Sequence, residues 1–223
     1  MQAEFKELNG IPGYYIDDDI QWHNGKDYNR YCNHFDNVFS SLFPPNKVNN
    51  EFRHILVVGG GDMQLMANTT MLAGHCRTKL VDPMVHTYQE MLLANKDNIS
   101  KYIFNSQRFA YLETSFTEFI PTTIQEFLED DKFKDDTFDF IVMDLIDGLA
   151  VDEDNEFTSK VWERLRPGGF MIGYGGYSLQ GFLNSSIIPM LNISNIVVEE
   201  RKYSSWGEDK NTGVVYGVIK NSD

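Results

Sequence analysis

The chain has 223 residues with 42% hydrophobic content, enough for one substantial core, and its length favours one main domain over two. A formal net charge of −14, from 33 acidic against 19 basic residues, disfavours nucleic acid and acidic membranes as partners; it permits a cationic ligand, and equally serves surface solubility. No run approaches the roughly 18 apolar residues of a membrane span, the start MQAEFKELNG has no apolar leader core, and Cys32 and Cys76 form neither a metal nor a disulfide pattern, so a reduced, cytoplasmic setting is expected.

Residues 1–47 read as an N-terminal extension, a β-hairpin and a helix. Tyr14–Trp22 is strand-like and Asn24-Gly25 is a turn signal. Asp27–Phe43 repeats Tyr31, Phe35, Val38, Phe39 and Leu42 on one helical face, and Pro44-Pro45 stops it. From residue 48 to 223 strand and helix segments alternate. Strands are expected at Ile55–Val58, Thr78–Asp82, Arg108–Leu112, Phe138–Asp144, Phe170–Tyr174, Ile193–Arg201 and Val214–Lys220. Helices are expected at Met63–Ala73, Met84–Asn95, Phe116–Asp130, Asn155–Leu165 and Ser178–Met190. Strands alternating with helices imply an α/β, Rossmann-like, doubly wound parallel sheet. The last two strands are joined without a helix and can pair antiparallel at the edge. Seven strands so arranged resemble the layout of class I S-adenosylmethionine-dependent enzymes.

The segment His54-Ile-Leu-Val-Val-Gly-Gly-Gly-Asp62 drives a buried strand into a glycine turn ahead of a helix start. Gly59, Gly60 and Gly61 let the backbone approach a ligand closely, and Asp62 selects positive charge over phosphate. The dinucleotide and phosphate-loop glycine patterns are both absent. Ligands of parallel sheets bind at the carboxyl ends of the strands, where Asp62, Asp82, Glu113 and Asp144 all fall. Asp82 precedes Pro83 and either caps the next helix or bonds a ribose diol. Glu113 ends the third expected strand, within reach of an adenine amino group. Asp144 ends the fourth, and Asp147 follows in the loop; two such carboxylates can hold an ammonium group or accept an amine proton. The acidic run Glu129-Asp130-Asp131, continued by Asp135-Asp136, reads as a solvated loop. The five histidines are scattered without metal-ligand spacing, so no metal is expected.

Three motifs in order resemble the spermidine synthase (polyamine aminopropyltransferase) family. They are Ile16-Asp-Asp-Asp-Ile-Gln21 with Asp27-Tyr-Asn-Arg-Tyr31, then Gly59-Gly-Gly-Asp62, then Asp144-Leu-Ile-Asp147-Gly148. Leu165-Arg-Pro-Gly-Gly169 and Thr212-Gly-Val-Val-Tyr-Gly217 are weaker echoes. The resemblance implies decarboxylated S-adenosylmethionine as co-substrate, with Gln21 and Asp62 on its aminopropyl arm and Asp82 on its ribose. It implies Asp144 as general base, with Asp147, Tyr31 and Tyr203 positioning a polyamine such as putrescine, in a homodimer with an N-terminal part shorter than the family's. Met63-Gln64 stand where the family carries two further glycines. That change opens an alternative, an S-adenosylmethionine-dependent amine methyltransferase, because Gln64 can donate to the carboxylate of the intact cofactor. A third reading is a non-catalytic nucleoside-binding relative.

Overall fold

The computed structural model describes residues 4–8, 11–16, 19–23, 38, 41, 54–59, 77–83, 116–143, 155–175, 192–202 and 212–223. The elements are β1 (Glu4–Leu8), β2 (Ile11–Ile16), β3 (Asp19–His23), β4 (His54–Val58), β5 (Arg77–Val81) and β6 (Phe116–Ile120). They continue with α1 (Ile124–Glu129), β7 (Phe138–Met143), α2 (Asn155–Arg164), β8 (Leu165–Gly175), β9 (Ile193–Lys202) and β10 (Thr212–Lys220).

Seven strands form one sheet in the order β6-β5-β4-β7-β8-β10-β9. The first five are parallel, and β10 runs antiparallel to both β8 and β9. This is the expected doubly wound, seven-stranded architecture with its antiparallel terminal pair. The chain builds β4, β5 and β6 outward in one direction, then crosses to β7 and β8 on the other side. The order therefore reverses between β4 and β7, the place where such sheets open a ligand crevice.

Burial explains why these segments became central strands. In β4, Ile55 to Val58 are all at most 1% exposed, so both faces of the strand are covered, as its unbroken apolar run required. One face carries Leu56, Val58, Val81, Ile141 and Met143 against Ile124 and Phe127 of α1 and Val161 and Trp162 of α2. The opposite face buries Ile55, Val57, Leu80, Phe140 and Phe170, the last two with ring centroids 5.0 Å apart.

Two long-range clamps fix the helices. Arg164, at the end of α2, donates to the carbonyls of Phe133 (2.7 Å), Leu128 (3.1 Å), Asp136 (3.3 Å) and Lys134, tying α2 to the connection after α1. Lys220 Nζ donates to the carbonyls of Trp162 (2.8 Å) and Leu165 (2.7 Å), which closes off the last turn of α2. Burial pushes the Lys220 ammonium below its ordinary range, and Glu163 pulls in the other direction.

Three expectations change. The strand expected at Arg108–Leu112 lies outside the described residues, and the strand paired with β5 is Phe116–Ile120, the first part of the expected helix Phe116–Asp130. Pro121 explains it: proline holds the preceding residue in an extended conformation and has no N–H for a helix interior. Thr123 then starts α1 with a capping box, its hydroxyl accepting from the Glu126 N–H while the Glu126 carboxylate accepts from the Thr123 N–H. Secondly, Tyr14–Trp22 is not one strand. It divides into β2 and β3, and β1 adds a third strand to this separate antiparallel sheet. In the sequence the two strands are separated by Asp17-Asp18, residue types that favour turns over strands. Thirdly, Asp136 is not part of a solvated loop: it lies 2.8 Å from Lys79 Nζ, with Glu118 3.2 Å from the same ammonium.

The helix α2 and the remaining expected strands agree within one or two residues, except that β8 begins at Leu165 and not at the expected Phe170. Val38 and Ser41 are helical, Val38 being buried, in line with the helix expected over Asp27–Phe43. The helices expected at Met63–Ala73, Met84–Asn95 and Ser178–Met190, and the Asn24-Gly25 turn, lie outside the described residues.

Candidate functional site

Register brings the strand ends into line. Val58 pairs with Val81 on one side and Met143 on the other; Val81 pairs with Ile120, and Met143 with Gly173. All five parallel strands therefore reach the same level together, and the chain leaves β4, β5 and β7 side by side.

Gly59 is the first residue beyond β4. Its φ is 74°, in the left-handed region that costs a residue with a Cβ about 1–2 kcal/mol. Its N–H still donates to the Val81 carbonyl at 2.9 Å, so the chain turns out of the sheet without losing its ladder partner. Asp82, the first residue beyond β5, donates its N–H to the Ile120 carbonyl at 3.2 Å, and the residue as a whole is 6% exposed. A turning glycine and a buried carboxylate thus stand on neighbouring strands beside the point of order reversal. A turning glycine in such a place leaves room for a ligand against the backbone, and a carboxylate there can accept from a diol or pair with a cation.

Of the residues singled out in the sequence, the structure brings Gly59 and Asp82 together. It also places the end of β7, Met143, next to β4, so the residue following in the chain is Asp144. Gln21 lies in β3 of the three-stranded sheet. Gly60, Gly61, Asp62, Asp144, Asp147, Tyr31 and Tyr203 lie outside the described residues. Glu113 also lies outside them, and its assignment to the end of the third strand is corrected: that strand end is Ile120, followed by Pro121 and Thr122, because β6 begins at Phe116. Gly173 and Tyr216 meet at the same level of the sheet, a juxtaposition that no linear pattern discloses.

Other charged groups serve the scaffold. Partial burial pushes the Glu118 carboxyl up, but the ammonium groups of Lys132 and Lys79 outweigh this and leave it below the ordinary glutamate value. Both ammonium groups also sit over the Phe133 ring, at 4.4 and 4.5 Å from its centroid. Among the described residues no group of three His, Cys, Asp or Glu is placed to hold a metal, and no helix is long and apolar enough to cross a membrane.

No family model matches this sequence, and no curated protein sequence matches it. Its fold does match solved structures. A Streptococcus mutans protein described as a candidate S-adenosylmethionine-dependent methyltransferase superposes with a TM-score of 0.59 at 11% identity, over 98% of this chain and 56% of its own. The present chain thus spans little more than half the length of that neighbour. The N-methyltransferase NodS from Bradyrhizobium japonicum WM9, solved in complex with S-adenosyl-L-homocysteine, gives 0.53 at 16% identity, covering 87% of each chain. A precorrin-6y C5,15-methyltransferase from Geobacter metallireducens GS-15 gives 0.51 at 12% identity, over 83% of this chain and 88% of its own. With the strand order and the terminal antiparallel pair, these likenesses show that the chain has the class I S-adenosylmethionine-dependent methyltransferase fold.

Proposed function

We propose that the protein transfers a methyl group from S-adenosylmethionine to an amine nitrogen of a small cationic substrate. The observation that carries this reading is left-handed Gly59 beside buried Asp82 where the strand order reverses. A nucleoside fits such an edge: the glycine turn admits its sulfonium arm and the carboxylate accepts from both ribose hydroxyls. The bound S-adenosyl-L-homocysteine of the Bradyrhizobium N-methyltransferase, a protein of the same fold, supports the choice of cofactor. Met63-Gln64 support the intact form, since Gln64 brings amide donors for the cofactor carboxylate.

In this reading the amine lone pair attacks the methyl carbon, the carbon–sulfur bond breaks, the sulfonium becomes a thioether, and Asp144 takes the amine proton. Asp62 and Asp147 hold positive charge near the reaction, Gln21 contacts the cofactor arm, and Tyr31 and Tyr203 position the amine. Bringing a cationic sulfonium and an ammonium together requires such carboxylates. A homodimer belongs to the same proposal.

A second reading, aminopropyl transfer from decarboxylated S-adenosylmethionine, is favoured by the chain order of the Gln21–Tyr31, Gly59–Asp62 and Asp144–Asp147 motifs. Calorimetry with the intact and the decarboxylated nucleoside separates the two. Tighter binding of the intact form, with a methylated amine and S-adenosylhomocysteine as products by mass spectrometry, is the expected result. A preference for the decarboxylated form, with methylthioadenosine released, transfers the assignment to the second reading, and binding of neither overturns both. Asp144→Asn is expected to abolish turnover with nucleoside affinity retained.

A further inference from the structure

Beyond β6 the chain turns on a proline. Pro121 has a fixed φ and no N–H, and the Thr122 N–H donates back to the Ile120 carbonyl at 2.9 Å. The same carbonyl accepts the Asp82 N–H from the end of β5 at 3.2 Å. The corresponding bond one strand along, from the Gly59 N–H to the Val81 carbonyl, is shorter at 2.9 Å. At Ile120 one acceptor serves two donors, and Asp82 holds the longer bond.

Thr122 is itself tied down. Its hydroxyl donates to a Glu126 carboxylate oxygen at 2.7 Å, and that oxygen also accepts from the Thr123 N–H at 3.0 Å and the Thr123 hydroxyl at 2.9 Å. A capping box at Thr123 needs no bond from Thr122. Yet that extra bond is the shortest of the three, and it does most to hold the Glu126 carboxyl below its ordinary value. Hydrogen bonds therefore link Glu126, Thr122 and the Ile120 carbonyl to the backbone of Asp82. We propose that Thr122 is a positioning residue: anchored by Glu126, it shares the Ile120 carbonyl with Asp82 and so sets where the Asp82 carboxylate stands at the carboxyl edge. This inference rests on the reading of Asp82 as the ribose partner.

The test sets Thr122→Val, which keeps the branched shape and removes the hydroxyl, beside Thr123→Ala, which removes a cap hydroxyl and leaves the Thr122–Glu126 bond in place. The Asp82 amide proton is followed by NMR in the unliganded protein, and affinity for S-adenosylhomocysteine is measured by calorimetry. In Thr122→Val the Asp82 amide resonance is expected to move downfield, because the Ile120 carbonyl turns to its remaining donor and a shorter bond deshields the proton. Affinity is expected to fall about three- to ten-fold, the scale of one hydrogen bond. Thr122→Ser, which keeps the hydroxyl, should restore both, and Thr123→Ala should lower the melting temperature while moving neither. An Asp82 amide that stays in place in Thr122→Val, or moves equally in Thr123→Ala, overturns the inference and leaves Thr122 as part of the helix cap. If the wild type binds no S-adenosylhomocysteine, the reading of Asp82 falls, while the amide comparison still decides whether Thr122 sets the end of β5.

Discussion

At the scale of single residues, Asp82 and Glu118 show two uses of a carboxylate. Asp82 is buried beside Gly59, where the proposed function puts the cofactor ribose; Glu118 is bound to two lysines in the scaffold. Hydrogen bonds to a charged group are worth about 1.5–3 kcal/mol, so Asp82→Asn is expected to weaken nucleoside binding about ten- to a hundred-fold, measured by calorimetry. Glu118→Gln is expected to leave that affinity unchanged and to alter the acid limb of stability instead. The Glu118 carboxyl titrates below its ordinary value of 4.5 in the folded state, so its contribution is complete above 4.5 and is lost as pH falls through the folded value. Denaturant unfolding at neutral pH and near about pH 4 should show a smaller acid loss for the variant than for the wild type. Gly59 and Asp82 were legible in the sequence because each directly follows an apolar run that reads as a buried strand. The contact of Tyr216 with Gly173 was not, because the two stand on different strands, more than forty positions apart in the chain.

At the scale of elements, β6 and α1 show how punctuation outweighs periodicity. The stretch from Phe116 to Asp130 reads as a single helix by its apolar spacing, yet Pro121 and the Thr123–Glu126 box divide it into strand, turn and helix. Both signals are present in the sequence, and they override the apolar spacing. The correction moves the third strand end from Leu112 to Ile120 and removes Glu113 from it. A six-residue helix has little stability of its own. Here α1 depends on its cap and on Phe127, which stacks on Phe133 at 4.7 Å between centroids. Thr123→Ala is therefore expected to cost about 1 kcal/mol, read as a lowered midpoint in denaturant unfolding.

At the scale of the whole molecule, the strand order sets where a ligand crevice would open, and the net charge bears on what it would attract. The order β6-β5-β4-β7-β8-β10-β9 places its reversal beside Gly59, and the net charge of −14 gives the molecule as a whole a long-range attraction for cations. Such steering is screened by salt. Raising ionic strength from about 0.05 to 0.5 M shortens the Debye length from roughly 14 to 4 Å, so the KM for a cationic amine should rise severalfold with kcat little changed. Steady-state kinetics across a salt series checks this, and a salt-independent KM would show that the acidic surface serves solubility alone.

The sequence by itself determined the fold class, because short continuous apolar runs such as Ile55–Val58 recur at spacings that leave room for crossovers between parallel strands. It also marked Gly59 and Asp82, since a turning glycine and an acid stand out at the end of such runs. Tertiary structure alone decided which residues share a level of the sheet. Hydrogen-bond register set Val58 between Val81 and Met143, put Asp136 on Lys79, and laid the Tyr216 ring into the space left by Gly173. Those partners are far apart in the chain, and only the packing of strands against one another selects them.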